Sequence, residues 1–306
     1  LAILLSVSKS VLLHSMAHKS GFVSIVGSPN VGKSTLMNAL VGQKLSIVTS
    51  KAQTTRHRIL GIVNDEEHQI VFSDTPGVVN SAYKLHDNMM EYVSTSLQDA
   101  DVLLFVTDTL EKKMNHEETL ERIKKLKVPV LCLINKIDLS KQEVVAERML
   151  YWQNELPTAE IFPVSALHNF NLDHVWERIR AMIPESPPYY DKEELSDRPM
   201  RFFVSEIIRE KIFNFCHKEI PYSCQIEIEH YEETPHIINI RAIIVVERDS
   251  QKGIVIGKGG EMLKKIGRQA RIDIQKFLDK KVFLESYVKV DKDWRSSEAK
   301  LKKYGY

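Results

Sequence analysis

Four short stretches of this 306-residue chain carry residue types and spacings suited to chemistry on a nucleotide. Gly27-Ser28-Pro29-Asn30-Val31-Gly32-Lys33-Ser34 has the spacing G-x-x-x-x-G-K-[ST], that of a loop that cradles phosphates. Its glycines let backbone N–H groups converge on phosphate oxygens. A helix opening behind it at Thr35 points its positive end at the same place, so all of 27–35 is expected around the anion. Lys33 then supplies charge to the β- and γ-phosphates and Ser34 a hydroxyl to Mg²⁺.

Three further motifs choose the nucleotide and complete the site. Asp74-Thr75-Pro76-Gly77 follows an apolar run. Asp74 there can reach Mg²⁺ through water, and Gly77 offers a backbone N–H to the γ-phosphate without side-chain obstruction. Asn135-Lys136-Ile137-Asp138 caps another run. A carboxylate at Asp138 accepts from both N1–H and the exocyclic amine of guanine. Adenine lacks that donor pair and would leave a buried carboxylate unpaired, which disfavours ATP and an ATP-using kinase. Ser165-Ala166-Leu167 ends the last strand-like run and can present a backbone N–H to the guanine oxygen. Thr54 and Thr55 lie between the first two motifs. One of them should ligate Mg²⁺, and Thr55 is favoured. Lys33, Thr55 and Gly77 are thus the expected catalytic groups. The residue after Gly77 is Val78, which cannot orient an attacking water as a glutamine can. Hydrolysis is therefore expected to be slow, or absent in a module that uses nucleotide only to stabilise its fold.

Such motifs need strands that end where they begin. Apolar runs at 21–26, 68–73, 101–107, 128–134 and 160–164 each close on a polar turn, with helical patterns at 35–41, 117–126 and 172–182 among them. Strands alternating with helices predict an α/β fold, a mostly parallel sheet covered on both faces, with ligands at the carboxyl ends of the strands. Residues 183–200 break this rhythm with Pro184, Pro187, Pro188 and Pro199 and a charge cluster, the composition of a linker. The division expected is an extension outside the fold (1–17), a first domain (18–183), a linker (184–200) and a second domain (201–306).

Bulk composition agrees with two globular domains. The chain is 43% hydrophobic and 27% charged, with formal net charge +1, which excludes wholesale disorder. No acidic residue occurs before Asp65, while Lys9, Lys19, Lys33, Lys44, Lys51, Arg56 and Arg58 are basic, a bias suited to an anionic ligand. Three cysteines without metal-ligand spacing predict reduced thiols, with Cys132 in the core. No apolar stretch is long enough to span a bilayer. The apolar, acidic-poor start is expected to be an upstream extension rather than a targeting segment, with Met16 just ahead of the first strand.

The second domain carries a different motif. Ile256-Gly257-Lys258-Gly259-Gly260 closes an apolar segment on G-x-x-G and opens a long helix. From Lys252 to Lys281 nine basic residues, among them Lys264, Lys265, Arg268 and Arg271, stand against only Glu261, Asp273 and Asp279. Helix, two strands, helix, glycine turn, helix and strand is the order of a type II K-homology (KH) module, which clamps about four nucleotides of single-stranded RNA on such a loop. Basic neighbours would neutralise phosphates.

With both halves read, the chain resembles the bacterial Era GTPase family over about residues 18–306. The resemblance rests on GSPNVGKSTL at 27–36, KAQTTRHRILGI at 51–62, SDTPGV at 73–78, INKIDL at 134–139, VSAL at 164–167, RFFVSEIIREKI at 201–212, ERDSQKGIVIGKGG at 247–260 and KVFLESYVKVDKDWR at 281–295. It implies a GTP/GDP-cycling, Mg²⁺-using GTPase that binds the 3′ end of 16S rRNA through its KH domain and acts in maturation of the 30S subunit. It further implies a monomer in the bacterial cytoplasm, with peripheral association at the inner membrane. Related potassium-stimulated GTPases hold K⁺ with an asparagine at the position of Asn30, so the resemblance also raises K⁺ stimulation.

Overall fold

The computed structural model describes residues 18–49, 51–79, 83–114 and 116–306. The expected extension at 1–17 lies outside the described residues. Apolar, β-branched segments build a six-stranded sheet: β1 (Lys19–Gly27), β2 (Ile59–Asn64), β3 (His68–Asp74), β4 (Val102–Asp108), β5 (Val130–Asn135) and β6 (Glu160–Pro163). Their order is β2-β3-β1-β4-β5-β6. All neighbours pair in parallel except β2, which runs antiparallel along the edge at β3.

Helices cover both faces, as a parallel sheet requires. Against one face pack α1 (Lys33–Val41) and α5 (Leu172–Met182), with Leu36, Met37, Val175 and Ile179 on Val23, Ile25, Ile70 and Phe72. Against the other pack α2 (Lys84–Asp99), α3 (Glu117–Lys124) and α4 (Gln142–Glu155), with Val93, Leu97, Ile123 and Trp152 on Val26, Leu103, Phe105 and Cys132. Each large aliphatic side chain buried this way contributes about 1.5–3 kcal/mol, which makes the sheet a rigid base for the loops at its carboxyl end.

The second unit has its own core and sheet. It comprises α6 (Met200–Phe215), the short α7 (Ile220–Ser223), β7 (Gln225–Glu233), β8 (Ile238–Val246), α8 (Asp249–Ile256), α9 (Glu261–Leu278), β9 (Val282–Val290) and α10 (Glu298–Lys303). The order β7-β8-β9 is antiparallel then parallel. Ile208 and Ile212 of α6 and Ile266, Ala270 and Ile274 of α9 cover one sheet face through Ile240, Ala242 and Ile244. The other face is partly covered by the first unit, since Leu85 and Met89 of α2 pack with Val245, Trp294, Leu301 and Tyr304.

Residues 184–200, the expected linker, are hydrogen-bonded to the first unit at several points. Ser20 N–H donates to the Pro184 carbonyl, and Ser186 N–H to that of His18. The Gln69 side chain accepts from the N–H groups of Tyr189 and Tyr190 and donates to the Tyr190 carbonyl. Further along, Ile62 N–H donates to Leu195 O, and Arg198 Nη2 donates to Arg58 O. The segment is a strap along the β1–β3–β2 edge. Proline removes periodicity and donors, but not the carbonyls that the sheet edge uses.

Candidate functional site

Gly27 ends β1, and the loop that follows turns into α1 through Gly32, whose φ of 98° lies in the left-handed region. A Cβ at Gly32 would stand 2.2 Å from Asn135 Nδ2, so glycine is required there by both conformation and space. The first turn of α1 contains no acidic side chain, which leaves its positive end open to an anion. Lys33 is buried and its Nζ donates to the carbonyls of Gly27 (3.0 Å) and Ser28 (2.8 Å). Burial pulls its pKa down to about 8, and the carboxylates of Asp74 and Glu111 offset part of that pull.

At the foot of the cavity three oxygen-bearing side chains meet. Ser34 Oγ lies 2.9 Å from Thr55 Oγ1 and 2.8 Å from Asp74 Oδ2. Asp74 is fully buried, and its Oδ1 has no hydrogen-bonding partner. Burial pushes its carboxyl pKa up, against the pull of Lys33 and the neighbouring hydroxyls. Thr54, the competitor of Thr55, has its carbonyl bound by Arg209 Nη2 at 2.5 Å. Thr75 Oγ1 donates to the Ile25 carbonyl, which locks the start of the Asp74–Gly77 turn to β1. Pro29 packs so closely on Gly77 that a Cβ there would stand 2.7 Å from Pro29 Cα. Val78 donates its N–H to Gly27 O and turns its side chain into the core, away from the cavity.

The loops after β5 and β6 form the far wall. Asn135 Nδ2 donates to the Val31 carbonyl, and its Oδ1 accepts from the Ala166 N–H, both at 2.9 Å. The side chain thus staples the phosphate loop to the 165–167 turn. Lys136 adopts φ 60° and lays its Nζ over the loop, onto the Asn30 carbonyl and Asp108 Oδ2. Asp138 accepts from Ser165 Oγ at 2.5 Å. The Ala166 N–H is taken by Asn135 and the Ser165 N–H by Phe170 O. Of the three candidate amides only that of Leu167 is left for a base. One cavity of about 290 Å³ unites Asn30, Gly32, Lys33, Ser34, Thr35, Thr55, Gly77, Asn135, Lys136, Asp138 and Leu167. Gly27, Ser28, Pro29, Val31, Asp74, Thr75, Pro76, Val78, Ser165 and Ala166 stand behind that lining and shape it.

Two features carried no signal in the sequence. Ile47, Val48, Thr49 and Gln53 join the lining of the cavity beside Lys51 and Thr54. Glu111, just beyond β4, accepts from the hydroxyls of Ser28 and Thr107. Burial raises its pKa, with those hydroxyls opposing. No motif surrounds Glu111, and only the folded loop brings it to Ser28.

In the second unit α8 and α9 flank a turn in which Gly257, Gly259 and Gly260 all have positive φ (73°, 61° and 79°). No atom lies within 4 Å of a Cβ built at Gly259 or Gly260. The turn is open, and its backbone can be approached closely. Lys264, Arg268 and Arg271 fall on one exposed stripe of α9. Lys265 stands apart, its Nζ 4.4 Å from the centre of the Phe215 ring. Ile256 is half-buried at the base of the turn, and Ile254 is exposed beside it.

This arrangement matches known proteins along nearly its whole length. Residues 22–136 match the family described as 50S ribosome-binding GTPase, and residues 219–295 match the KH domain. The GTPase Era of Geotalea daltonii is 46% identical over 289 residues, covering 94% of this chain and 97% of its own. The chain belongs to the Era GTPase family. The GTPase Era of Staphylococcus haemolyticus, 44% identical over 291 residues, covers the same share of this chain. A crystal structure of Era with MgGDPNP and nucleotides 1506–1542 of 16S ribosomal RNA has a TM-score of 0.90 at 39% identity, covering 94% of this chain and 99% of the relative. A single-substitution variant of Aquifex aeolicus Era bound to GDP·AlF4⁻ also gives 0.90, at 38% identity and with the same coverage of both chains. As an Era-family member the chain binds guanine nucleotide and hydrolyses GTP, on a P-loop fold followed by a KH domain.

Proposed function

We propose that this protein is a Mg²⁺-dependent GTPase switch that grips single-stranded RNA at the 3′ end of 16S rRNA and acts in maturation of the 30S subunit. What carries the reading is the pairing, in one chain, of the Ser34–Thr55–Asp74 cluster with the open glycine turn at 257–260. The related Era was crystallised with MgGDPNP and a 16S fragment, which favours the small-subunit RNA over the 50S particle named for the broader GTPase family. In this reading residues 18–183 are the GTPase domain, 184–200 the strap and 201–306 the KH domain. The protein works as a monomer in the bacterial cytoplasm. A peripheral contact with the inner membrane would be a surface contact, because no helix among the described residues is long and apolar enough to cross a membrane.

The residues fit the metal. Adjacent oxygens of an octahedron with bonds of about 2.1 Å stand about 3 Å apart, the separation of the Ser34 and Thr55 hydroxyls. The unpartnered Oδ1 of Asp74 is an acceptor suited to a metal-bound water. When bound, Mg²⁺ neutralises charge on the β- and γ-phosphate oxygens. Lys33 leaves the loop carbonyls for those oxygens. The open end of α1 and the Gly77 N–H hold the terminal phosphate, and Asp138 reads the guanine edge. The buried Val78 offers nothing to the attacking water, so its orientation falls to backbone groups. K⁺ beside the phosphates is the role read for Asn30, which is exposed on the phosphate loop.

Phosphate release by the purified chain, with and without an oligonucleotide of the 16S 3′ end, tests the reading. GTP turnover that responds to the oligonucleotide is expected. Absence of turnover in both conditions would leave a nucleotide-stabilised RNA-binding module, and tighter binding of ATP than GTP would overturn the guanine assignment.

A further inference from the structure

The loop that carries Thr55 is held by the KH domain at points on either side of that residue. Lys51 Nζ donates to the carbonyls of Phe213 and Cys216 (the latter at 2.6 Å), at the end of α6. The Thr54 carbonyl accepts from Arg209 of α6. The next side chain after Thr55 reaches α7: Arg56 Nη1 donates to Cys224 O at 2.7 Å, and Nη2 to the carbonyls of Tyr222 (2.9 Å) and Pro221 (3.2 Å). Helices end with carbonyls that lack intrahelical partners, and basic groups are favoured there. Neither α6 nor α7 has a basic residue in its own last turn. Lys51 and Arg56 therefore complete two helix ends of the other domain, and in return their own backbone is fixed.

We propose that the KH domain is a positioning element of the GTP site: Lys51, Arg56 and Arg209 act together to set the place of the Thr55 hydroxyl beside Ser34. This rests on reading Thr55 as the threonine of the metal site. A group that meets the metal and γ-phosphate is engaged by the triphosphate and not by the diphosphate, so its displacement costs the two nucleotides unequally. The KH domain thereby influences hydrolysis without touching nucleotide, through two peptide units of one loop.

The test compares Arg56→Gln, Lys51→Ala, Arg56→Lys and Thr55→Ala in the full chain. Affinities for GDP and for GDPNP are measured with fluorescent analogues at fixed Mg²⁺, alongside kcat. Arg56→Gln is expected to weaken GDPNP and lower kcat by about tenfold while leaving GDP affinity within about twofold; Lys51→Ala, at a residue that also lines the nucleotide cavity, should weaken GDPNP at least as much. Arg56→Lys should recover part of the loss. Equal weakening of GDP and GDPNP, or no change in either while Thr55→Ala is impaired, would overturn the proposal. If Thr55→Ala itself leaves GDPNP affinity and kcat unchanged, the reading of Thr55 fails and the proposal with it. Thermal melting checks folding. Should Arg56→Gln not fold, Arg56→Lys, which keeps the charge and loses the fork of donors, carries the comparison alone, with a loss for GDPNP no larger than that for GDP overturning the proposal.

Discussion

The imidazole of His57 lies nearly flat on the ring of Tyr306, with centroids 4.4 Å apart and planes 17° from parallel. The edge of Phe202 closes the other direction at 5.5 Å, and Tyr92 stands 6.2 Å away. Burial holds the His57 pKa well below its usual 6.5, and Arg198, Arg209 and Arg56 push it the same way. Well above pH 6.5 the ring is uncharged in both folded and unfolded chains. Below pH 6.5 the unfolded chain takes the proton first, so stability present above that pH is lost as the solution is acidified. One unit below, the loss from this group is about 1.4 kcal/mol. His57→Phe keeps the stack without the titration, and its melting temperature should fall by a few degrees less between pH 6.5 and 5.5 than that of the unsubstituted chain.

Asp138→Asn should move base preference from guanine to xanthine. The new amide cannot accept from both N1–H and the exocyclic amine, but it can donate to the carbonyl that xanthine carries in place of the amine. A loss of about 100-fold in GDP affinity is expected, about 2.7 kcal/mol. Competition with xanthosine diphosphate reads the reversal.

Gly77→Ala places a methyl group 2.7 Å from Pro29 Cα, well inside van der Waals contact. The turn must back away from the phosphate loop, so the Gly77 N–H no longer meets a γ-phosphate. GDP binding should persist, and GTP turnover should drop by about tenfold or more.

Turnover in KCl should exceed turnover in NaCl at equal ionic strength. Asn30→Ala should abolish the difference without changing GDP affinity. Equal rates in the two salts for the unsubstituted protein count against a K⁺ role.

Lys258→Asp combined with Gly259→Asp should abolish RNA binding and leave GTP affinity intact. Lys258 would repel phosphate once reversed in sign, and Gly259 holds φ 61°, which a side chain resists. Gel shift with the 16S 3′-end oligonucleotide reads the loss. By contrast Lys265→Ala should matter less than Arg268→Ala, because Lys265 is already engaged by Phe215.

The nucleotide motifs were legible because each is local, a strand end followed by a turn whose residue types name its chemistry. The glycine turn at 257–260 was legible for the same reason, with positive φ at three of its residues. What the sequence left out is non-local. That the amide of Asn135 staples Val31 to Ala166 emerges only from the fold. Helix α4 spreads its apolar residues around its axis and fully buries Trp152 alone of them, and β2, an edge strand interrupted by Gly61, carries no alternation. The grip of α6 and α7 on Lys51 and Arg56 is made through main-chain oxygens, which no residue pattern marks.

The strap has a further effect on how RNA is met. A free tether of its length would let the KH domain wander over roughly 20–25 Å, and capture would be a diffusive search at an effective concentration set by that reach. Pinned as far as Arg198, one peptide short of Pro199 and two short of the start of α6, the chain grants no such radius. With α2 packed on Trp294 and with Lys51 and Arg56 bound to the ends of α6 and α7 as well, the glycine turn keeps one place relative to the GTP site, and meeting RNA involves no tethered search.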